Sequence, residues 1–204
     1  MKASIILFDN FTDIDLFLMW DLLARKKWNW DIKILGNNKK QISSNGISIE
    51  THGHWQDANK SEVVLFCSGR GTRELIQNPA FISHFSLNPD KQLIGSICSG
   101  ALLLAKLGLL NGKTATTYPA AKDALLALGI EVIDAPFVQH GNIATAGGCL
   151  SAQYLVAWVV ERLYGTEQRK AVLREISPVG QVDIYEQLVT QSIKSINKET
   201  VVSI

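Results

Sequence analysis

The chain of 204 residues carries 20 Lys+Arg against 19 Asp+Glu, a formal net charge of +1, and 47% of its residues are apolar. That length suits a single α/β domain spanning residues 1–204, and the near-zero charge offers no electrostatic footprint for nucleic acid or an anionic membrane. The apolar run after Met1-Lys2 ends before Asp9, too short for a signal-peptide core, and Ala101 to Leu110 is broken by Lys106 and too short to span a bilayer. Three cysteines without paired spacing do not make a disulfide framework, so a reducing, cytoplasmic setting is expected.

In chain order, short β-branched runs alternate with helical patterns, as in a parallel sheet with crossover helices. Ser4 to Phe8 reads as a buried strand, and Thr12 to Ala24 as a helix with Ile14, Leu18 and Leu22 at helical spacing. Asp31 to Leu35 alternates as a strand. Gln41 to Thr51 folds around Asn45-Gly46 as a small hairpin. Val63 to Phe66 and Leu93 to Ile97 lack charged side chains and are expected to be central, covered on both faces. Cys98-Ser99-Gly100 follows directly, then a helix from Ala101 to Leu107. Thr114 to Thr117 suggests a strand, and Ala120 to Leu128 a helix stopped by Gly129 at its C′ position. Val138 to His140 and Ile143 to Ala146 pair through Gly141-Asn142, and Leu150 to Tyr164 is a long helix. The turn Ser177-Pro178-Val179-Gly180 precedes an amphipathic helix from about Val182 to Ile193.

The chemistry concentrates at Ile94 to Gly100. A buried strand that ends in a nucleophile, followed by small residues and a helix, has the layout of a nucleophile elbow. The helix N-terminus favours thiolate over thiol at Cys98, which predicts a pKa below that of a free cysteine. Read from spacing alone, Cys98 is equally a small buried hydrophobe at a strand end. Asp15 likewise has two readings. Thr12-Asp13-Ile14-Asp15 has the form of a capping box with Asp15 reaching back to the N-cap amide.

Ile14-Asp15-Leu16, Ser68-Gly69-Arg70-Gly71, Ile97-Cys98-Ser99-Gly100, Ala115-Thr116-Thr117 and Thr145-Ala146-Gly147-Gly148 together resemble the ThiJ/PfpI family of class I glutamine-amidotransferase-like proteins, nearest in pattern to its isocyanide-hydratase-like members. The resemblance implies a flavodoxin-like α/β sandwich with a mostly parallel sheet. It also implies a reactive Cys98, with Asp15 as the acid beside the sulfur and its pKa raised by proximity to a like charge. The Gly69 and Ser99 amides are the oxyanion donors it implies, and the site needs no cofactor and no metal. It further implies a homodimer acting on a small molecule. Pocket shape then depends on Phe17, Leu18 and Tyr118 and on the partner subunit.

The chain departs from that pattern at informative positions. Ser99 stands where many relatives have a His after the cysteine, which disfavours peptidase and amidotransferase chemistry, and Tyr118 stands where others carry a His. Phe17-Leu18-Met19 replaces a Gly-Pro pair, and Cys67 replaces a Pro. Cys67 is therefore the cysteine expected nearest to Cys98, either as a packing residue or as the partner of a reversible disulfide. His52-Gly53-His54 lacks a third ligand at metal spacing, and His84 and His140 read as surface residues. Gly69-x-Gly71 is no dinucleotide fingerprint, and Trp28 and Trp30 read as packing residues. The expected function is a cofactor-independent cysteine enzyme that hydrates an isocyanide or performs related glyoxalase or hydrolase chemistry. The alternatives are a redox or stress sensor built on Cys98 and, last, a ligand-sensing domain.

Overall fold

The structure is a computed structural model that describes residues 1–25 and 30–194. Strand β1 (Lys2–Ile6), buried after its first residue, leads into helix α1 (Asp13–Ala24), and β2 (Asp31–Gly36) follows. The hairpin β3 (Lys40–Ile42) and β4 (Ser48–Glu50) turns at Gly46 with φ 91°, as its Asn-Gly pair predicts. The short β5 (Gly53–His54) precedes β6 (Val63–Phe66), helices α2 (Thr72–Leu75) and α3 (Pro79–Ser83), and β7 (Leu93–Ile97). Helix α4 (Ala101–Lys106) starts one 3₁₀ turn after β7, and β8 (Thr114–Ala115), α5 (Lys122–Ala127) and β9 (Glu131–Val132) form a small excursion. The antiparallel pair β10 (Phe137–His140) and β11 (Ile143–Ala146) precedes α6 (Ala152–Tyr164), α7 (Thr166–Ile176) and α8 (Val182–Lys194).

Seven strands form one sheet in the order β10-β11-β7-β6-β1-β2-β5, parallel except for β10. The chain leaves β1 toward β2 on one side, and from β6 onward it proceeds to the other side. The crevice above the C-terminal ends of β1 and β6 is therefore the topological switch point at which open α/β sheets place their sites. Helix α6 covers β7 and β11 and packs against α1, while α4 covers β6 and β7. The all-apolar β6 and the fully buried β7 are sandwiched as expected of central parallel strands.

Several local readings change. The buried stripe of α1 is Asp15, Leu16, Met19, Leu22 and Leu23, whereas Ile14 is 46% exposed. This helix is apolar on nearly every side, so periodicity does not mark its inner face. Thr114 to Thr117 pairs only over Thr114–Ala115. Helix α7 has no counterpart in the sequence reading, because its buried residues are Arg169, Val172 and Leu173, too few apolar groups to set a period. His140 is half-buried with Nε2 3.1 Å from Thr114 Oγ1, and His84 packs edge-on against Trp55, so neither is a plain surface residue. His52 Nδ1 accepts from the Ile34 amide at 3.0 Å. Trp30 stacks on Tyr164 with ring centroids 5.5 Å apart, and Trp28 lies outside the described residues.

Arg169, 2% exposed, fastens the last three helices: its Nε lies 2.6 Å from Glu161 Oε2 on α6, and its Nη1 donates to Thr190 Oγ1 on α8 at 3.0 Å. Removing one partner of such a pair strands the other charge in a poorly solvated site. Glu161→Ala is expected to lower unfolding free energy by about 3 kcal/mol, read as a denaturant midpoint shift at unchanged slope.

Candidate active site

Register brings the chemistry to one level. Ile6 pairs with Phe66, Phe66 with Ser96, and Ala146 with Ile97. The segments leaving β1, β6, β7 and β11 therefore emerge side by side, carrying Asp15, Ser68, Cys98 and Cys149 respectively.

Cys98 occupies a true elbow. Its φ is 48°, a left-handed conformation that costs a side-chain-bearing residue on the order of 1–3 kcal/mol and is held here by its surroundings. The Thr117 hydroxyl donates to the Cys98 carbonyl at 2.9 Å. A Cβ on Gly100 would lie 2.7 Å from the Cys67 carbonyl oxygen and 2.9 Å from that of Phe66, so only glycine lets the turn after the elbow press against the end of β6.

Asp15 is not a cap. Thr12, the N-cap residue of α1, makes no side-chain capping bond, and Asp15 is 0% exposed, turned inward beneath the elbow. The Ser68 hydroxyl donates to Asp15 Oδ2, and no N–H or O–H reaches Oδ1. What faces the carboxylate is sulfur. Asp15, Cys98 Sγ and Cys149 Sγ lie within 4.8 Å of one another, and the two Sγ atoms are 3.9 Å apart. Cys149 is thus a sulfur neighbour of Cys98. Cys67 is buried with its sulfur 4.0 Å from the Thr12 carbonyl oxygen.

The low thiol pKa expected from the helix N-terminus is not what this environment produces. Burial pushes the Cys98 thiol well above the ordinary cysteine range, and the Asp15 charge and Cys149 push it the same way. Cys149 is raised to about 11, again chiefly by burial and then by Asp15. Helix α4 has only six residues, and its terminal partial charge does not offset removal from water plus a neighbouring carboxylate.

A cleft of about 500 Å³ opens over Cys98 and Cys149, lined also by Gly69, Ser99 and Tyr118. Tyr118 is half-exposed at its wall. Phe17 is not: it is 42% exposed on the outer side of α1 and does not line the cleft, because the helix turns Asp15 and Leu16 inward instead. The Gly69 amide is also not a free oxyanion donor. It donates to Ser99 Oγ at 3.2 Å, and the same buried hydroxyl donates to the Gly69 carbonyl at 3.2 Å. Gly69 itself is required, since a Cβ there would come within 2.1 Å of the Asn10 carbonyl oxygen. Arg70 and Arg73 line the cleft as well, Arg73 donating from Nη2 to the Ala120 carbonyl at 3.1 Å. Sequence reasoning missed Ser68 and both arginines as site residues and, of the two other cysteines expected at the same strand edge, preferred Cys67 to Cys149, although Ser68, Arg70 and the glycines before Cys149 stand within or beside the quoted motifs. No histidine lines the cleft among the described residues.

An elbow cysteine over a buried acid, at the switch point of a doubly wound sheet, defines a cysteine-centred α/β protein. The profile of the DJ-1/PfpI family matches residues 1–162, and the chain belongs to that family. It is 25% identical over 174 residues to an isonitrile hydratase of Pseudomonas putida, covering 84% of this chain and 76% of that protein. It is also 25% identical over 146 residues to a deglycase of Pyrococcus horikoshii, covering 70% of this chain and 87% of that one. Among solved structures, Schizosaccharomyces pombe DJ-1 superposes with a TM-score of 0.74 at 20% identity, over 87% of this chain and all (100%) of that one, a likeness of fold. No helix among the described residues is long and apolar enough to cross a membrane.

Because burial and Asp15 both raise the Cys98 thiol, its alkylation by iodoacetamide at pH 7 should be slower than that of a model thiol with pKa ~8.5. The rate should keep climbing with pH beyond the point where the model thiol levels off. Asp15→Asn removes one of the two largest causes, so its alkylation curve should move to lower pH. Peptide mass spectrometry over a pH series reads both.

Proposed function

We propose that this chain is a cofactor-independent cysteine enzyme that hydrates a small electrophile, with isocyanide-type substrates as the leading class. The observation that carries this reading is the inward Asp15 within 4.8 Å of Cys98 Sγ, in a cleft whose described lining contains no histidine. A thiol paired with a buried carboxylate suits a reaction that adds S–H across one carbon. In that scheme the Cys98 sulfur bonds to the terminal carbon of the isocyanide while its proton passes to Asp15, which delivers it to the same carbon. The product is a thioimidate. Water then attacks that carbon and the C–S bond breaks. One water proton goes to nitrogen and the other returns to the thiol, and an N-substituted formamide leaves.

The Gly69 amide also bears on the choice of chemistry. Addition of a thiol to an isocyanide develops no oxyanion, whereas acyl transfer needs donors aimed at one. A Gly69 N–H already engaged by Ser99 Oγ therefore favours hydration over peptidase or amidase chemistry. The relatives named as an isonitrile hydratase and a deglycase are both compatible with a cysteine-centred reaction on a small carbon electrophile. A redox-sensing role rests on the same cysteine and is separated from catalysis by turnover.

A panel of isocyanides and dicarbonyls is the test. Cys98→Ala should abolish turnover, and Asp15→Asn should lower kcat by about 10²–10⁴, the range of a general acid–base contribution, with little change in melting temperature. Absence of turnover on every member of the panel by the wild-type protein would overturn the enzymatic reading.

Among the described residues the cleft lining includes two guanidinium groups and no carboxylate, which favours a substrate with an anionic substituent. Arg70→Gln should raise KM about tenfold for a carboxylate-bearing isocyanide, as one charge-assisted hydrogen bond implies, and leave KM for an uncharged homologue unchanged.

A further inference from the structure

The two sulfurs and the carboxylate beneath the cleft have the composition and spacing of metal ligands. Two thiolates on one tetrahedral ion, each at ~2.3 Å, stand about 3.8 Å apart. The Cys98 and Cys149 sulfurs are 3.9 Å apart, and the Asp15 carboxylate lies within 4.8 Å of both. Asp15 is fully buried and its Oδ1 has no N–H or O–H donor, while Ser68 donates to Oδ2 and fixes the orientation of the group. A ligating carboxylate held by an outer hydroxyl is the usual second layer of a metal site. Cys98 and Cys149 also line the open cleft, so a fourth coordination position faces solvent or substrate.

We propose that Asp15, Cys98 and Cys149 form a binding site for a thiophilic divalent ion of the Zn²⁺ type. Two thiols and one carboxylate supply the ligands, and a water from the cleft fills the fourth position. Binding releases the two thiol protons to solvent and forms two metal–sulfur bonds and one metal–oxygen bond, with no change in oxidation state. Soft sulfur ligands select Zn²⁺ or Cd²⁺ over Mg²⁺ or Ca²⁺. The ion uses the Cys98 sulfur, so metal and electrophile exclude each other, and occupancy switches the nucleophile off reversibly. Cys149 is the residue that separates this site from an ordinary elbow cysteine.

The test uses the full-length, reduced, metal-free protein and needs no substrate, so its outcome is independent of whether the hydratase reading holds. Titration with Cd²⁺ should produce a thiolate-to-metal ultraviolet band that saturates at one ion per chain with the intensity of two thiolates. Competition with Zn²⁺ should remove it. Cys149→Ser should weaken binding about a hundredfold and Ser68→Ala about tenfold, as loss of an outer-layer partner does. Cys67→Ala should leave the titration unchanged. As a check that does not depend on any variant folding, Zn²⁺ should protect both Cys98 and Cys149 of the wild-type chain from alkylation at pH 8.5, as read by mass spectrometry. A band that keeps wild-type affinity and two-thiolate intensity in Cys149→Ser, a band lost in Cys67→Ala, or no stoichiometric binding by the folded wild type would each overturn the proposal.

Discussion

A carboxylate with no exposure to water is the constraint around which this site is arranged. Asp15 is fully buried at the sheet's C-terminal edge, with one oxygen satisfied by Ser68 and its carboxylate within 4.8 Å of two sulfurs. An ionised carboxylate in such a position is costly by several kcal/mol unless its surroundings compensate. No cationic side chain is paired with it among the described ion pairs. Its neighbours are a hydroxyl from the loop after β6, which donates to it, and the two sulfurs that arrive from β7 and β11. The switch-point topology is the reason those loops are neighbours at all. Asp15 follows β1, Ser68 follows β6, Cys98 follows β7, and adjacent parallel strands in register deliver all of them to one crevice.

The same crowding explains the backbone. Cys98 is held at φ 48°, and the glycine two residues later lets its turn rest on the carbonyls of Phe66 and Cys67. Local strain of this kind persists only where rigid neighbours over-determine it. Here the neighbours are β6 and β7, buried on both faces, and the Thr117 hydroxyl on the Cys98 carbonyl. The elbow is therefore a product of the core rather than of the loop that contains it.

Burial sets the protonation state as well. Removal from water and, after it, the neighbouring carboxylate both raise the affinity of the Cys98 sulfur for its proton. The cationic cleft lining, from Arg70 and Arg73, lies outside that contact.

Much of the fold was legible in the residues. Val63-Val64-Leu65-Phe66 and Leu93 to Ile97 have no charged side chain and can only be central strands. Asn45-Gly46 and Gly129 mark turns because few residues accept positive φ. Strand, small residues and helix around Cys98 announce an elbow. The inner face of α1 was not legible, since that helix is apolar on nearly every side and only packing against α6 chooses Asp15 and Leu16 over Ile14 and Phe17. Helix α7 was hidden because much of its buried surface belongs to Arg169, whose partners are supplied by α6 and α8. The engagement of the Gly69 amide by Ser99 and the approach of Cys149 to Cys98 depend on side-chain directions across 30 and 51 residues of chain. Periodicity and turn chemistry are local properties, so the sequence by itself determined most of the elements and the position of the elbow cysteine. Which groups surround that nucleophile, and whether its sulfur carries a proton, were decided by tertiary contacts and the exclusion of water they create.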